Sequence, residues 1–173
     1  KTIIMQTESI KILKGLLYVS LGLSLFTALV SLGFSINYSF FNTYDLNSDI
    51  ELLFPITSNT TAVVQFLYSM LLYLGISLIV WLLLKIVVSF QNNKFFTKYQ
   101  IAGFNLLGKL IIWLSIIDSF GSFILRIIFR SRLELKLELS TFWLFIAIEA
   151  FFIVLSRIFE KAHQLKSENE LTI

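Results

Sequence analysis

The chain has no cysteine, one proline and one histidine among its 173 residues. Without cysteine there are no disulfides, no thiolate metal sites and no thiol nucleophile. His163 supplies a single imidazole, too little for a histidine-rich metal site, so no metal and no cofactor is expected. Charge is scarce as well: 14% of residues are charged, against about 25% in an ordinary soluble domain. Also missing are a glycine-rich phosphate loop, a G-x-S-x-G elbow and an H-E-x-x-H pair. With no polar stretch long enough to fold as a separate catalytic domain, the chain is not expected to be an enzyme.

Hydrocarbon takes the place of charge. The composition is 57% hydrophobic with 18 phenylalanines, and the apolar residues gather into four segments at about 15–36, 62–90, 104–129 and 139–160. About 20 apolar residues suffice to carry a helix through a hydrocarbon core about 30 Å thick. A transmembrane barrel would instead alternate apolar and polar residues over about ten positions per strand, and no such pattern runs through these segments. The first segment is longer than the hydrophobic region of a signal peptide, about 7–15 residues, and no A-x-A-like site follows it, so it reads as a retained anchor. The expected architecture is all-α: a polytopic membrane four-helix bundle forming one domain over residues 1–173.

Basic residues orient it. With four spans, the side holding both termini and the loop 91–103 carries ten Lys and Arg, against four on the side of the loops 37–61 and 130–138. The positive-inside rule then makes the termini cytoplasmic. The net charge of +3 and pI near 9.2 are accounted for by those loops, so no direct nucleic-acid binding is expected. Outside, Leu133, Leu135, Leu137 and Leu139 alternate with Glu134, Lys136 and Glu138. That alternation reads either as a strand pairing with residues 49–56 in a small extracellular two-stranded β element, or as a frayed helix extension. Arg126, Arg130 and Arg132 form a basic cluster at the same outer face, opposite Asp45, Asp49 and Glu51; snorkelling to headgroups is its plainest use. Asn59-Thr60-Thr61 fits a glycosylation pattern by chance.

Two local signals concern packing. Thr97 followed by Gln100 has capping-box spacing, which predicts a helix beginning near Lys98, with Phe96 and Ile101 placed for a hydrophobic staple. Ser20, Ser24, Ala28, Ser31 and Ser35 form a stripe of small residues on the first span. Such a stripe lets another helix approach closely; packing within the chain is the stronger reading, and with no G-x-x-x-G a homo-oligomer is weakly signalled.

Asp118 and Glu149 are the sharpest candidates for function. Each interrupts an apolar span, and an acid at a helix centre costs about 2.5–3.5 kcal/mol on insertion scales. Placed at a shared depth, the two would form either a polar clasp between spans three and four or a site for a proton, cation or ligand.

The ending Asn169-Glu170-Leu171-Thr172-Ile173 and the loop Lys94-Phe95-Phe96-Thr97, with Asn105 and Gly108 after it, resemble those of a YoaS-like bacterial family of uncharacterised four-helix membrane proteins. Phe95 stands where that family's loop would have proline, and Ala162 where a glycine is common. The resemblance implies a multi-pass protein of the bacterial inner membrane whose genes often neighbour a small helix-turn-helix regulator. It suggests a docking face on the cytoplasmic side, made from Phe95, Phe96, Thr97, Tyr99, Leu165 and Leu171. The expected function is a non-enzymatic membrane sensor or regulator contacting such a partner; a small transporter or proton-coupled channel subunit using the intramembrane carboxylates is the alternative.

Overall fold

The computed structural model describes residues 2–41, 56, 58–91, 96–130 and 139–171. They form four helices: α1 (Thr2–Phe40), α2 (Asn59–Gln91), α3 (Lys98–Arg130) and α4 (Leu139–Leu171). Three of these, over Ile10–Phe40, Asn59–Phe90 and Lys98–Phe129, are long and apolar enough to cross a membrane. In α4 the side chains of residues 139–143 lie outside the described residues, and its later part carries Arg157, Glu160 and Lys161. Large apolar side chains face outward along the helices; Phe26, Leu29 and Trp113 are more than 60% exposed. Exposed apolar surface on this scale suits hydrocarbon, not water, and the chain is a membrane protein by that criterion. The two-stranded element expected from residues 49–56 and 133–139 falls almost wholly outside the described residues; Leu139 opens α4, and there is no strand among the described residues.

The backbones pack in chain order, α1 on α2, α2 on α3 and α3 on α4, and among the described residues no other pair of helices comes close. The four do not close into a ring. α1 meets α2 through Leu17, Ser24, Ala28, Ser31, Ser35 and Tyr38, all buried, with half-buried Leu21 filling the gap. Those seven positions alternate by four and three residues, the spacing that keeps one seam facing a partner helix. Ser24 Oγ lies 2.9 Å from Ser77 Oγ across the seam, and Phe66 stacks on Phe34 and Tyr38 at 5.1 and 5.7 Å between ring centres. Ser20, expected on the same stripe, is exposed: it lies four residues before Ser24, where the seam runs through Leu17 and Leu21 instead.

Both α2 and α3 begin in reciprocal caps, which satisfy amides that a helix leaves unbonded at its start. At α3 the Thr97 amide donates to Gln100 Oε1 at 3.1 Å and the Gln100 amide to Thr97 Oγ1 at 3.3 Å. At α2 the Ser58 amide donates to Thr61 Oγ1 at 3.0 Å and the Thr61 amide to Ser58 Oγ at 3.2 Å. Ser58 is therefore the cap of α2, with Asn59, Thr60 and its partner Thr61 in the first turn.

The end of the molecule that carries Lys14, Lys85 and Lys98 is closed by aromatic packing. Phe104 lies 6.1 Å from Phe152, 5.2 Å from Phe159 and 6.5 Å from Phe90, ring centre to ring centre. Phe159 also meets Phe90 at 5.8 Å, so α2 touches α4 through side chains although their backbones stay apart.

Candidate functional site

Polar side chains are costly inside a membrane unless they find one another, and in this fold they do so at three separate levels. Nearest the basic end, Gln100 is fully buried, and its Nε2 donates to Ser89 Oγ at 2.7 Å while Ser89 donates to the Ile86 carbonyl at 2.7 Å. At the same level, Ser156 Oγ donates to the carbonyl of Ile101, the residue after Gln100, at 2.9 Å and ties α4 to α3. Near the middle of α1 and α2 is the Ser24–Ser77 contact, with Ser77 donating back to the Tyr73 carbonyl at 2.8 Å.

The third level is the one with charge. Tyr68, on α2, aims its hydroxyl at α3: Tyr68 Oη is 2.9 Å from the Asp118 carbonyl, 3.3 Å from Asp118 Oδ1 and 3.3 Å from the Ile117 carbonyl. A single hydroxyl proton thus has three acceptors, two of them on one residue. Gly121 makes the approach feasible, because a methyl group there would lie 2.8 Å from Tyr68 Cε2 and 3.0 Å from its hydroxyl oxygen. Arg126 stands two turns beyond Asp118, half-buried, with the Asp118 and Arg126 charges both within electrostatic range of the Tyr68 hydroxyl. Gln65, one turn from Tyr68 on α2, is 6% exposed, and Ser115, one turn before Asp118 on α3, is 4% exposed. Gln65 Oε1 and Ser115 Oγ are buried and, among the described residues, meet no hydrogen-bond partner. The level therefore combines an acid, a base, a phenol and spare acceptors in the seam between two hairpins.

Asp118 and Glu149 are not brought together. Glu149 lies against Gly108: a methyl group on that glycine would be 3.3 Å from the Glu149 carbonyl and 3.6 Å from Glu149 Cγ. Ten residues of α3 separate Gly108 from Asp118, about 15 Å along the axis at about 1.5 Å per residue. Matching the midpoints of the two apolar segments assigned both acids one depth; the packing instead sets α4 three turns lower against α3, through Gly108, Ile153 and Ser156. Of the expected outer basic cluster, only the Arg126 side chain falls among the described residues. Arg126 turns its Nε into the protein interior, the side chain of Arg130 and all of Arg132 lie outside the described residues, and so do Asp45, Asp49 and Glu51.

The residues expected to dock a partner divide by role. Phe96 packs its ring on Phe159 at 5.1 Å and takes a left-handed backbone with φ of 57°; Thr97 is spent on the α3 cap. Tyr99 and Leu165 are half exposed or more, at 50% and 55%, whereas Phe95 and the Leu171 side chain fall outside the described residues. The sequence does not single out Tyr68, Gln65 and Ser77, because the stretch that holds them, residues 62–84, carries no charge. Their signal is polarity inside a long apolar span, which they share with Ser69, Tyr73 and Ser89. Among the described residues no three His, Cys, Asp or Glu side chains gather as a metal site.

No curated protein and no solved structure matches the chain significantly. Residues 43–173 match the model of a family described as a protein of unknown function, DUF2975. That match takes in α2, α3 and α4, with the Tyr68–Asp118 contact and the aromatic end, and by it the chain belongs to the DUF2975 family.

Proposed function

We propose that this protein is a non-enzymatic sensor or regulator of the bacterial inner membrane, akin to the YoaS-like proteins it resembles, with both termini cytoplasmic. In this reading the seam between α2 and α3 is the moving part, and the basic end is where a cytoplasmic partner such as a small helix-turn-helix regulator is held. The observation that carries it is the Tyr68–Asp118 contact. It lies where the α1–α2 hairpin meets the α3–α4 hairpin, so a change that releases the tyrosine alters how the two hairpins sit against each other. α2 and α3 are continuous helices from that level to the basic end, and a rigid element with two arrangements is the physical means by which one site biases another. Of the expected docking residues whose side chains are described, Tyr99 and Leu165 are the exposed ones.

Co-purification in detergent tests the proposal. The full chain retains a DNA-binding partner from its native host, removal of residues from Leu165 onward abolishes retention, and Asp118→Asn changes the retained amount without lowering the yield of membrane protein. Recovery of the membrane protein with no DNA-binding partner would overturn it.

The second reading, a small transporter or proton-coupled channel subunit, is favoured by Gln65 Oε1 and Ser115 Oγ, buried acceptors beside an intramembrane acid. It requires flux through liposomes that Asp118→Asn or Glu149→Gln removes while the fold persists. Liposomes bearing the wild-type chain and showing no flux would eliminate it.

A further inference from the structure

At the basic end, Tyr18 of α1, Trp81, Leu84, Lys85, Val88 and Ser89 of α2, and Tyr99 of α3 line an open groove of about 420 Å³. Its polar character comes from few atoms. Lys85 Nζ stands 4.0 Å from the centre of the Trp81 ring, and among the described residues no carboxylate pairs with it. Lys14 brings a second ammonium, 5.9 Å from the ring of Tyr18. The Ser89 hydroxyl is already engaged with the Ile86 carbonyl and with Gln100, so the donors that remain in the lining are the Lys85 ammonium, the Trp81 indole N–H and the hydroxyls of Tyr18 and Tyr99. A donor-rich lining with a lysine suits an anion.

The groove also has a depth. Lys85 lies six residues before the end of α2, about 9 Å from it at about 1.5 Å per residue. Trp81 is one turn deeper, while Tyr99 is the second residue of α3. The groove therefore runs from the headgroup level into the upper hydrocarbon, with the aromatic residues where amphipathic rings collect. Leu78, seven residues before Lys85, and Leu106, seven after Tyr99, continue the two walls inward and are 59% and 48% exposed, a surface for acyl chains. A soluble anion would use only the mouth of such a groove; a phospholipid would use its whole length.

We propose that this groove binds one anionic phospholipid, its phosphate held between Lys85 and the hydroxyls of Tyr18 and Tyr99 and its acyl chains laid along Leu78 and Leu106. Basic pockets between helices at the membrane surface recognise lipid headgroups in this way. The site stands apart from the Tyr68–Asp118 level and does not depend on the sensor reading.

Trp81 reports on it directly. In the full chain carrying Trp113→Phe and Trp143→Phe, Trp81 is the sole tryptophan, and its fluorescence is followed in vesicles of phosphatidylcholine containing brominated phosphatidylglycerol or brominated phosphatidylcholine. The anionic lipid reaches half-maximal quenching at a mole fraction about five-fold lower than the neutral one, the size expected of about one lysine attracted to a net negative headgroup. Lys85→Gln collapses that preference to less than about two-fold, whereas Lys85→Arg and the exposed control Lys109→Gln retain it, so loss of fold is told apart from loss of the site. Equal quenching by the two lipids in the unsubstituted groove, or a preference that survives Lys85→Gln, would overturn the proposal. Inorganic phosphate at constant ionic strength leaves the preference intact; if it erases the preference, the ligand is a soluble phosphate and the lipid assignment fails.

Discussion

Tyr68 and Asp118 meet across the α2–α3 seam, phenol oxygen to carboxyl oxygen at 3.3 Å and to the same residue's carbonyl at 2.9 Å. This contact, not a pairing of the two intramembrane acids, defines the charged level of the protein, and its energetic worth is measurable. Hydrogen bonds between membrane helices average about 0.6 kcal/mol in double-mutant cycles and reach about 1.7 kcal/mol. A cycle of Tyr68→Phe and Asp118→Ala, read by unfolding in mixed micelles, gives a favourable coupling in that range. A coupling of zero would mean that the carboxyl is not a partner of the tyrosine.

The glycines of the chain separate into two kinds by what surrounds them. Gly121→Ala drives a methyl into the Tyr68 ring and is expected to destabilise by about 1–3 kcal/mol, the usual penalty of overpacking. Gly22→Ala meets nothing within 4 Å and removes a poor helix former from an α-helix, which stabilises by about 0.5–1 kcal/mol. Thermal unfolding in detergent, monitored by circular dichroism, gives the two opposite shifts.

Gln100 is the buried link between the loop and the core, joined to the Thr97 amide, Thr97 Oγ1 and Ser89 Oγ. Gln100→Leu leaves the Ser89 oxygen and the Thr97 amide without those bonds and is expected to cost about 1–3 kcal/mol, the penalty for stranding buried polar groups. Hydrogen exchange at Thr97 to Ile101 should accelerate first, ahead of global unfolding.

Chain pairing on α1 has its own contrast. Ser24→Leu places a large side chain where Ser24 and Ser77 oxygens are 2.9 Å apart and pushes α1 off α2, whereas Ser20→Leu faces outward and leaves the pair intact. Since the chain has no native cysteine, a disulfide between Ala28→Cys and a cysteine on the facing stretch of α2 reads the separation: Ser24→Leu lowers its yield severalfold and Ser20→Leu does not.

The sequence by itself determined the class, the elements and one element's first turn. Runs of apolar residues long enough for a bilayer leave a helix as the only way to satisfy the backbone, and the Thr97–Gln100 cap is a contact between residues three apart, legible wherever the spacing occurs. The small-residue stripe was legible for the same local reason, apart from Ser20, whose outward position depends on where α2 crosses. What only the tertiary structure decided is register. The level at which one helix lies against the next is set by where side chains fit: Tyr68 over Gly121, Leu114 against Gly75, Glu149 and Ile153 on Gly108. No periodicity within a single helix contains that offset, because sliding a neighbour by a turn changes none of its own spacings. Three turns of such an offset are enough to part Asp118 from Glu149 and to give Asp118 to a tyrosine on α2, a helix without an acid of its own.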